Sequence, residues 1–281
     1  MPGRVILCAM KAIRLDLLLC RRGLAESREK AKSLILAGQV WVEGQRVDKA
    51  AALVAEEARV EVRQGLRYVS RGGLKLEHAL RAFGLDPAGW VAADVGASTG
   101  GFTDCLLQHG VAKVYAIDVG YGQLDWRLRQ DPRVVVLERT NARYLESLPE
   151  AVRLVTIDAS FISLRLLLPQ VRRWLAEGGQ VIALVKPQFE AGREQVGKGG
   201  VVRSPAVHRA VLRDLLTWAQ ENGWQVRGLA RSPIKGPKGN VEFLAWLGAE
   251  AQGTSLMLEQ AIEEVLQEDE HAPAPPAHGG A

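Results

Sequence analysis

Cysteine is scarce in this chain: 281 residues contain three, Cys8, Cys20 and Cys105. They are too few and too scattered for a disulfide framework or a zinc cluster, and packing is their expected role. The five histidines show no H-x-x-x-H spacing, and two of them lie in the tail, so no metal is expected. No apolar run approaches the roughly 18 to 20 residues needed to cross a bilayer, and Val5 to Ala9 is too short for the apolar part of a secretory signal. The expectation is a cytoplasmic protein without a membrane partner. Basic residues are missing from one region. Residues 249–281 hold seven acids and no Lys or Arg, so against a formal charge of +4 for the whole chain the first 248 residues carry an excess of eleven positive charges. Such a body points to a polyanionic partner. A hydrophobic content of 47% supports a buried core in one large or two modest domains.

The most informative stretch present is Val91-Ala-Ala-Asp-Val-Gly-Ala-Ser-Thr-Gly-Gly-Phe-Thr-Asp104, a short apolar strand running into a glycine turn that opens a helix. Glycines in such a turn let a ligand approach the main chain. A P-loop would end in Lys-Ser/Thr, where Phe102-Thr103 stands, and the dinucleotide pattern G-x-G-x-x-G is absent. What remains, an acid-x-Gly-x-x-x-Gly turn after a strand, is the pattern expected for S-adenosyl-L-methionine. Asp118 ends a second apolar run about twenty residues on, where a carboxylate can accept ribose hydroxyls.

Residues 11–65 read as a small α+β domain, with two helices, a hairpin at Val40-Trp-Val42 and Val47, and a further strand at Val60-Glu-Val62. The runs R-L-D-L-L-L, S-R-E-K-A-K-S-L-I and G-Q-V-W-V-E-G-Q-R-V resemble an S4 RNA-binding domain. That resemblance implies RNA contacts from the second helix and its surroundings, hence from Arg14, Arg21, Arg22, Arg28, Lys30 and Lys32. Residues 1–10 are expected to be an unstructured extension, 66–70 a junction, 71–248 the larger domain, and 249–281 an acidic, Pro-rich, largely disordered tail in which 251–267 has amphipathic helical spacing. In the larger domain apolar strands alternate with helices. Strands are predicted at 91–95, 113–117, 133–137, 153–157, 180–185, 225–231 and 241–247, with helices at 74–83, 102–109, 123–129, 163–176 and 205–222. This is an α/β fold, a Rossmann-like, doubly wound, mainly parallel sheet, with its last two strands antiparallel neighbours. Its ligand is expected beyond the carboxyl ends of the strands.

Charged residues stand at several of those strand ends. Lys186 follows Val181 to Val185, Asp158 follows Leu154 to Ile157, Glu242 opens the last strand, and Lys75 opens the first helix of the domain. Ionised groups beside core strands need partners, so they are read either as salt bridges capping the sheet or as one site. The Asp158-Ala-Ser-Phe161 run is not the acid-Pro-Pro-aromatic turn of base-nitrogen methyltransferases, and no Pro-Cys pair supplies the thiol for pyrimidine C5 attack. The order Lys75, Asp158, Lys186, Glu242 resembles the Lys-Asp-Lys-Glu tetrad of FtsJ-like ribose 2′-O-methyltransferases.

Both resemblances combine in the TlyA, or hemolysin A, family, which joins an S4 domain to an FtsJ-like domain. The runs Y-V-S-R-G-G-L-K-L-E, D-V-G-A-S-T-G-G-F-T-D, D-V-G-Y-G-Q-L, T-I-D-A-S-F-I-S-L, V-K-P-Q-F-E and G-N-V-E-F carry it over residues 11–247, and the acidic tail departs from it. The resemblance implies a cytidine 2′-O-methyltransferase acting on ribosomal RNA or ribosomal subunits, with no obligate protein partner. It implies cofactor contacts from Asp94, Gly96, Ser98, Thr99, Gly100, Asp118 and Asn141, substrate phosphate contacts from Arg71 and Lys198, and catalysis by the tetrad. Lys186 is expected to be the base, its neutral amine favoured by burial and by Lys75 as a neighbouring cation. Two other readings stay open, a membrane-active cytolysin and a catalytically inactive ribosome-binding or assembly factor. The first is opposed by the lack of a spanning segment or strongly amphipathic basic helix, the second by the intact glycine turn and tetrad.

Overall fold

The computed structural model describes residues 12–36, 38–62, 67–250 and 256–267. The expected extension at 1–10, the start of the 66–70 junction and the end of the tail lie outside the described residues. The chain divides into two compact units between Arg67 and Tyr68.

The first unit runs β1 (Ala12–Arg14), α1 (Leu15–Arg21), α2 (Arg28–Leu36), β2 (Val40–Val42), β3 (Gln45–Arg46), β4 (Leu53–Ala55) and β5 (Val60–Val62). Leucines at helical spacing put Leu15 and Leu19 of α1 against Ala31 and Ile35 of α2, over Val40 and Val42 of β2. The central strand β2 pairs antiparallel with β3 and β5. A two-stranded β1–β4 sheet is not expected from the sequence. It forms because Ile13 and Val54 face each other in register although 41 positions separate them, a pairing no local pattern encodes.

The second unit begins with α3 (Gly72–Ala82), β6 (Val91–Val95), α4 (Gly101–Gln108), β7 (Lys113–Ile117), α5 (Trp126–Gln130), β8 (Val134–Leu137) and β9 (Val152–Ile157). It continues with α6 (Leu164–Arg172), β10 (Leu175–Val185), α7 (Pro187–Glu190), α8 (Pro205–Glu221), β11 (Gln225–Arg231), β12 (Phe243–Gly248) and α9 (Leu258–Gln267). The seven strands lie in the order β11-β12-β10-β9-β6-β7-β8. β10, β9, β6, β7 and β8 run parallel, and β12 is antiparallel to both β10 and β11. The chain winds outward from β6 through β7 to β8, then returns to β9 and winds the other way. The direction therefore reverses between β6 and β9, which is where such folds open a ligand crevice.

Both faces of the sheet are covered, which explains the unbroken apolar runs. In β10, Val181, Ala183 and Val185 join a core with α6 and α8, while Ile182 and Leu184 join another with α3 and α4. Two differences from the expected elements have physical reasons. The helix predicted at 163–176 ends at Arg172, because Leu175 pairs with Val152 and draws the chain into β10 ahead of the irregularity after which the ladder resumes at Gln180. Within the acidic tail, Leu258–Gln267 is helical. Its Ile262 and Val265 are buried in the core shared with α8, and Arg209 and Arg213 of α8 bind Glu263 and Glu259 through paired contacts of 2.6 to 2.7 Å. The amphipathic spacing read at 251–267 thus forms a helix that starts only at Leu258, its apolar face packed and its charges matched.

Candidate active site

The strand order collects the charged residues. At the carboxyl edge of the parallel strands, β6, β9 and β10 deliver Gly96, Asp158 and Lys186, and the antiparallel β12 begins at the same edge just after Glu242. The first turn of α3 brings Lys75 over them. The outcome is two ion pairs: Lys75 Nζ lies 2.5 Å from a Glu242 oxygen, and Lys186 Nζ lies 2.6 Å from Asp158 Oδ1. Lys186 Nζ also donates to Ser160 Oγ at 2.9 Å. Lys75 and Lys186 are each 7% exposed and Glu242 is 1% exposed, so these charges are held against one another inside the protein.

Local sequence fixes the directions of the side chains. Lys186 precedes Pro187, the first residue of α7, and so is confined to the extended conformation in which it is found, φ −110° and ψ 100°. Glu242 closes the β11–β12 connection, where its carbonyl accepts Ser232 N–H at 2.9 Å. One Glu242 oxygen, Oε1, is buried and accepts no hydrogen bond among the described residues. Buried carboxylate oxygens are seldom left so.

Lys186 has a carboxylate 2.6 Å away, and Lys75, expected to stand beside it as a neighbouring cation, is held by a carboxylate of its own. The resting arrangement is thus two ion pairs.

Two cavities meet here. The larger, about 910 Å³, is lined among others by Gly96, Ser98, Asp118, Gln123, Asn141 and Phe189. The smaller, about 390 Å³, is lined by Arg71, Lys75, Thr99, Lys186 and Glu242 among others. Gly96, Ser98, Asp158 and Ser160 belong to both. Gly96 has φ +81°, and a Cβ there would stand 2.7 Å from the Asp158 carbonyl oxygen, so only glycine lets β6 and β9 close on each other at the shared wall. Asp118 accepts Ser98 N–H at 2.8 Å and Gly120 N–H at 2.7 Å, which leaves carboxylate lone pairs for a ligand's hydroxyls.

The sequence-predicted cofactor residues therefore separate. Gly96, Ser98, Asp118 and Asn141 line the larger cavity, and Thr99 lines the smaller. Gly100 lines neither. Its φ is +95°, and a Cβ would meet Leu128 at 2.2 Å, so it is required for packing against α5. Asp94 is fully buried beneath the turn, accepting Thr103 Oγ1 at 2.7 Å and Thr156 Oγ1 at 3.0 Å. Burial pushes its carboxyl up to about 7, the two hydroxyls opposing and the Asp158 charge adding to the rise. The stability carried by protonated Asp94 is complete below the usual carboxylate value and is lost as pH rises through about 7. Stability measured for the wild type relative to Asp94→Asn should accordingly fall between pH 5 and pH 8 in denaturation series, and a pH-independent difference would refute this assignment.

Arg71 lines the smaller cavity, whereas Lys198 lines neither of the two. Among the S4-like cations, Arg14 and Arg28 both contact the buried Asp16 at 2.9 Å. The Arg14 contact first, and then Arg28, hold the Asp16 carboxyl well below its usual range. Arg21 pairs with Glu56, and Arg22 donates to the carbonyls of Glu56 and Ala58. Lys30 and Lys32 are exposed and have no ion-pair partner among the described residues.

Two residues of the site, Ser160 and Phe161, are not singled out by the sequence. Phe161 has φ +63°, is 90% exposed at the rim of the larger cavity, and packs its ring 4.9 Å from that of Phe189. A bulky residue held at positive φ is strained, and here it forms part of the cavity wall. A large apolar residue in the polar loop after Asp158 is the signal that could have found it. Glu190 steadies this wall, accepting Ser163 Oγ at 2.6 Å and Leu164 N–H at 2.8 Å, with its carboxyl pushed up by burial.

Comparison with known proteins matches residues 68–249 to the FtsJ-like methyltransferase family and residues 13–60 to the S4 domain. The 16S/23S rRNA (cytidine-2′-O)-methyltransferase TlyA of Mycobacterium tuberculosis is 46% identical over 261 residues, covering 91% of this chain and 97% of that protein. Hemolysin A of Brachyspira hyodysenteriae is 42% identical over 236 residues, covering 83% of this chain and 98% of that protein. A solved structure named as a candidate hemolysin of Streptococcus thermophilus superposes with TM-score 0.70 at 44% identity, covering 93% of this chain and 98% of that one.

Proposed function

Because the chain belongs to the FtsJ-like methyltransferase family, in the branch that carries an N-terminal S4 domain, we propose that it transfers a methyl group to the 2′-oxygen of a cytidine ribose in ribosomal RNA. The observation that carries this reading is the acceptor-sized cavity lined by two lysine–carboxylate pairs, one buried and one half-buried, and sharing a wall with the larger cavity. The methyl donor is S-adenosylmethionine, which supplies a methyl group already activated on a sulfonium. The larger cavity fits it: a glycine-lined wall at Gly96 and the Asp118 carboxylate with lone pairs to spare.

A ribose hydroxyl is a weak nucleophile, so the protein's tasks are alignment and removal of one proton. Lys186, whose ammonium reaches into the acceptor cavity, hydrogen-bonds the acceptor oxygen and stabilises negative charge developing on it. Asp158 takes the hydroxyl proton, directly or by relay through the Lys186 ammonium. Lys75 and Glu242 act as positioning residues. Lys30 and Lys32 on α2 hold RNA phosphate, with Arg14, Arg21, Arg22 and Arg28 shaping that surface. An rRNA substrate puts the enzyme with the ribosomes of the cytoplasm. Among the described residues no helix is long and apolar enough to cross a membrane.

Incubation with labelled S-adenosylmethionine and separated small and large ribosomal subunits tests the reading. Label on a cytidine 2′-O-methyl group in rRNA is the expected result. Label on a base atom, or none in RNA, would refute it.

A further inference from the structure

A third cavity lies in the second unit beside the acceptor site and has a different character. It measures about 380 Å³, and its lining includes Arg203, Arg231, Lys235 and Lys238 with no carboxylate. Lys235 also lines the acceptor cavity, so the two are neighbours across one side chain. Among the described residues Arg203, Lys235 and Lys238 have no ion-pair partner, in contrast to the tetrad lysines of the neighbouring cavity.

Hydrogen bonds join the two loops that form its walls. Asn240, 3% exposed, accepts Val202 N–H at 3.1 Å through Oδ1 and donates from Nδ2 to the Gly200 carbonyl at 3.0 Å. Gly236 N–H donates to the Asn240 carbonyl at 2.8 Å, and Lys238 Nζ to the Gly199 carbonyl at 2.9 Å. These bonds tie the 197–203 loop to the 232–240 loop. Lys238 sits at φ +59°, a backbone conformation unusual for a lysine. Cations gathered around one concavity without a carboxylate in its lining repel one another, and the repulsion is relieved when an anion enters.

We infer that this cavity binds phosphodiester groups of the RNA strand adjoining the nucleotide that is methylated. The inference rests on the proposed function for the identity of that strand. An RNA strand whose sugar enters the acceptor cavity must continue past its walls, and Lys235 leads to a concavity of the charge its backbone requires. Phosphate contacts of this kind fix register and orientation without reading sequence. The cavity thereby sets which ribose along the strand faces Lys186.

The test uses the full chain with Arg203→Gln and Lys238→Gln combined, and a charge-retaining control that combines Arg203→Lys with Lys238→Arg. Lys235 is left untouched because it also borders the acceptor site. S-adenosylhomocysteine affinity of both variants should equal that of the wild type, which shows that the sheet edge is intact. Binding to a short single-stranded oligocytidine RNA is then followed across a salt series. Removing two phosphate contacts should lower the slope of log affinity against log salt by about 1.4, at roughly 0.7 per contact for a single strand. In methyl transfer to ribosomal subunits the neutral pair should raise KM about tenfold with kcat within about twofold, as expected for contacts made equally before and during reaction. A wild-type slope in the neutral pair would overturn the inference, as would an equal loss in the charge-retaining control or equally effective competition by polyglutamate. Should the wild type transfer no methyl group to RNA, the proposed function fails, while the salt slopes still judge the cavity on their own.

Discussion

Lys186→Ala should lower kcat for methyl transfer by about a thousandfold while leaving affinity for S-adenosylmethionine within about threefold of wild type, since positioned proton-transfer groups typically contribute 10²- to 10⁴-fold. The separation of the two effects follows from the geometry. Lys186 lines the smaller cavity and is absent from the lining of the larger one. Its loss removes the donor aimed at the acceptor oxygen and leaves Asp158 without the ammonium 2.6 Å away. Lys186→Arg should recover little, because guanidinium does not release a proton at accessible pH and its planar fork cannot keep both the Asp158 and Ser160 contacts. The measurement is single-turnover methyl transfer beside calorimetric titration with the donor. Near-normal turnover by Lys186→Ala would remove the residue from the chemistry, and a large loss of donor affinity would show that the two cavities are not separate in function.

Glu242→Ala should destabilise the protein by about 3 to 5 kcal/mol, because it strands the Lys75 ammonium in the interior without a counter-charge. The size of the effect comes from burial. Lys75 and Glu242 are 7% and 1% exposed, so the ammonium left behind is only partly solvated. A second variant separates stability from catalysis. Lys75→Met combined with Glu242→Leu removes both charges at similar volume and should recover most of the stability, since buried ion pairs are often replaceable by apolar groups. It should remain inactive, because the acceptor cavity then lacks half of its tetrad. Chemical denaturation of both variants, followed by methyl-transfer assays on the double variant, gives the answer. Wild-type stability in Glu242→Ala, or wild-type turnover in the double variant, would contradict the roles assigned to this pair.

Elements with a strong local signal are legible in the amino-acid pattern. Val91 to Val95 and Lys113 to Ile117 are strands at the predicted bounds, because a strand buried on both faces reads as an apolar run of fixed length. The antiparallel pairing of the last two strands is equally legible, in their short connection. Less so are elements whose ends depend on distant partners, such as the early end of α6 and the two short strands at Ala12 and Leu53. In the turn itself, pattern alone treats Asp94, Gly96, Ser98 and Gly100 alike. Only packing separates Gly96, at the wall of both cavities, from Gly100, against α5, and from Asp94, beneath the turn.

Resemblance identifies the small unit as S4-like and the larger one as a methyltransferase, whereas the amino-acid order on its own lays out an α+β unit, a doubly wound α/β unit, the glycine turn and ionisable residues at strand ends. These are written in local spacing: apolar periodicity, glycine where a side chain cannot fit, and an ionisable residue at the end of a strand. Which of those charges become partners is a matter of tertiary packing alone. Lys75 meets Glu242 across 167 positions, and Lys186 meets Asp158 across 28, because the order of strands places β12, β10, β9 and β6 side by side. Strand order is set by how two covered faces bury the most apolar surface, a property of the whole sheet and of no single segment. The same physics gives the expected free base at Lys186 a carboxylate of its own, and gathers Arg203, Arg231, Lys235 and Lys238, inconspicuous in the sequence, around one cavity.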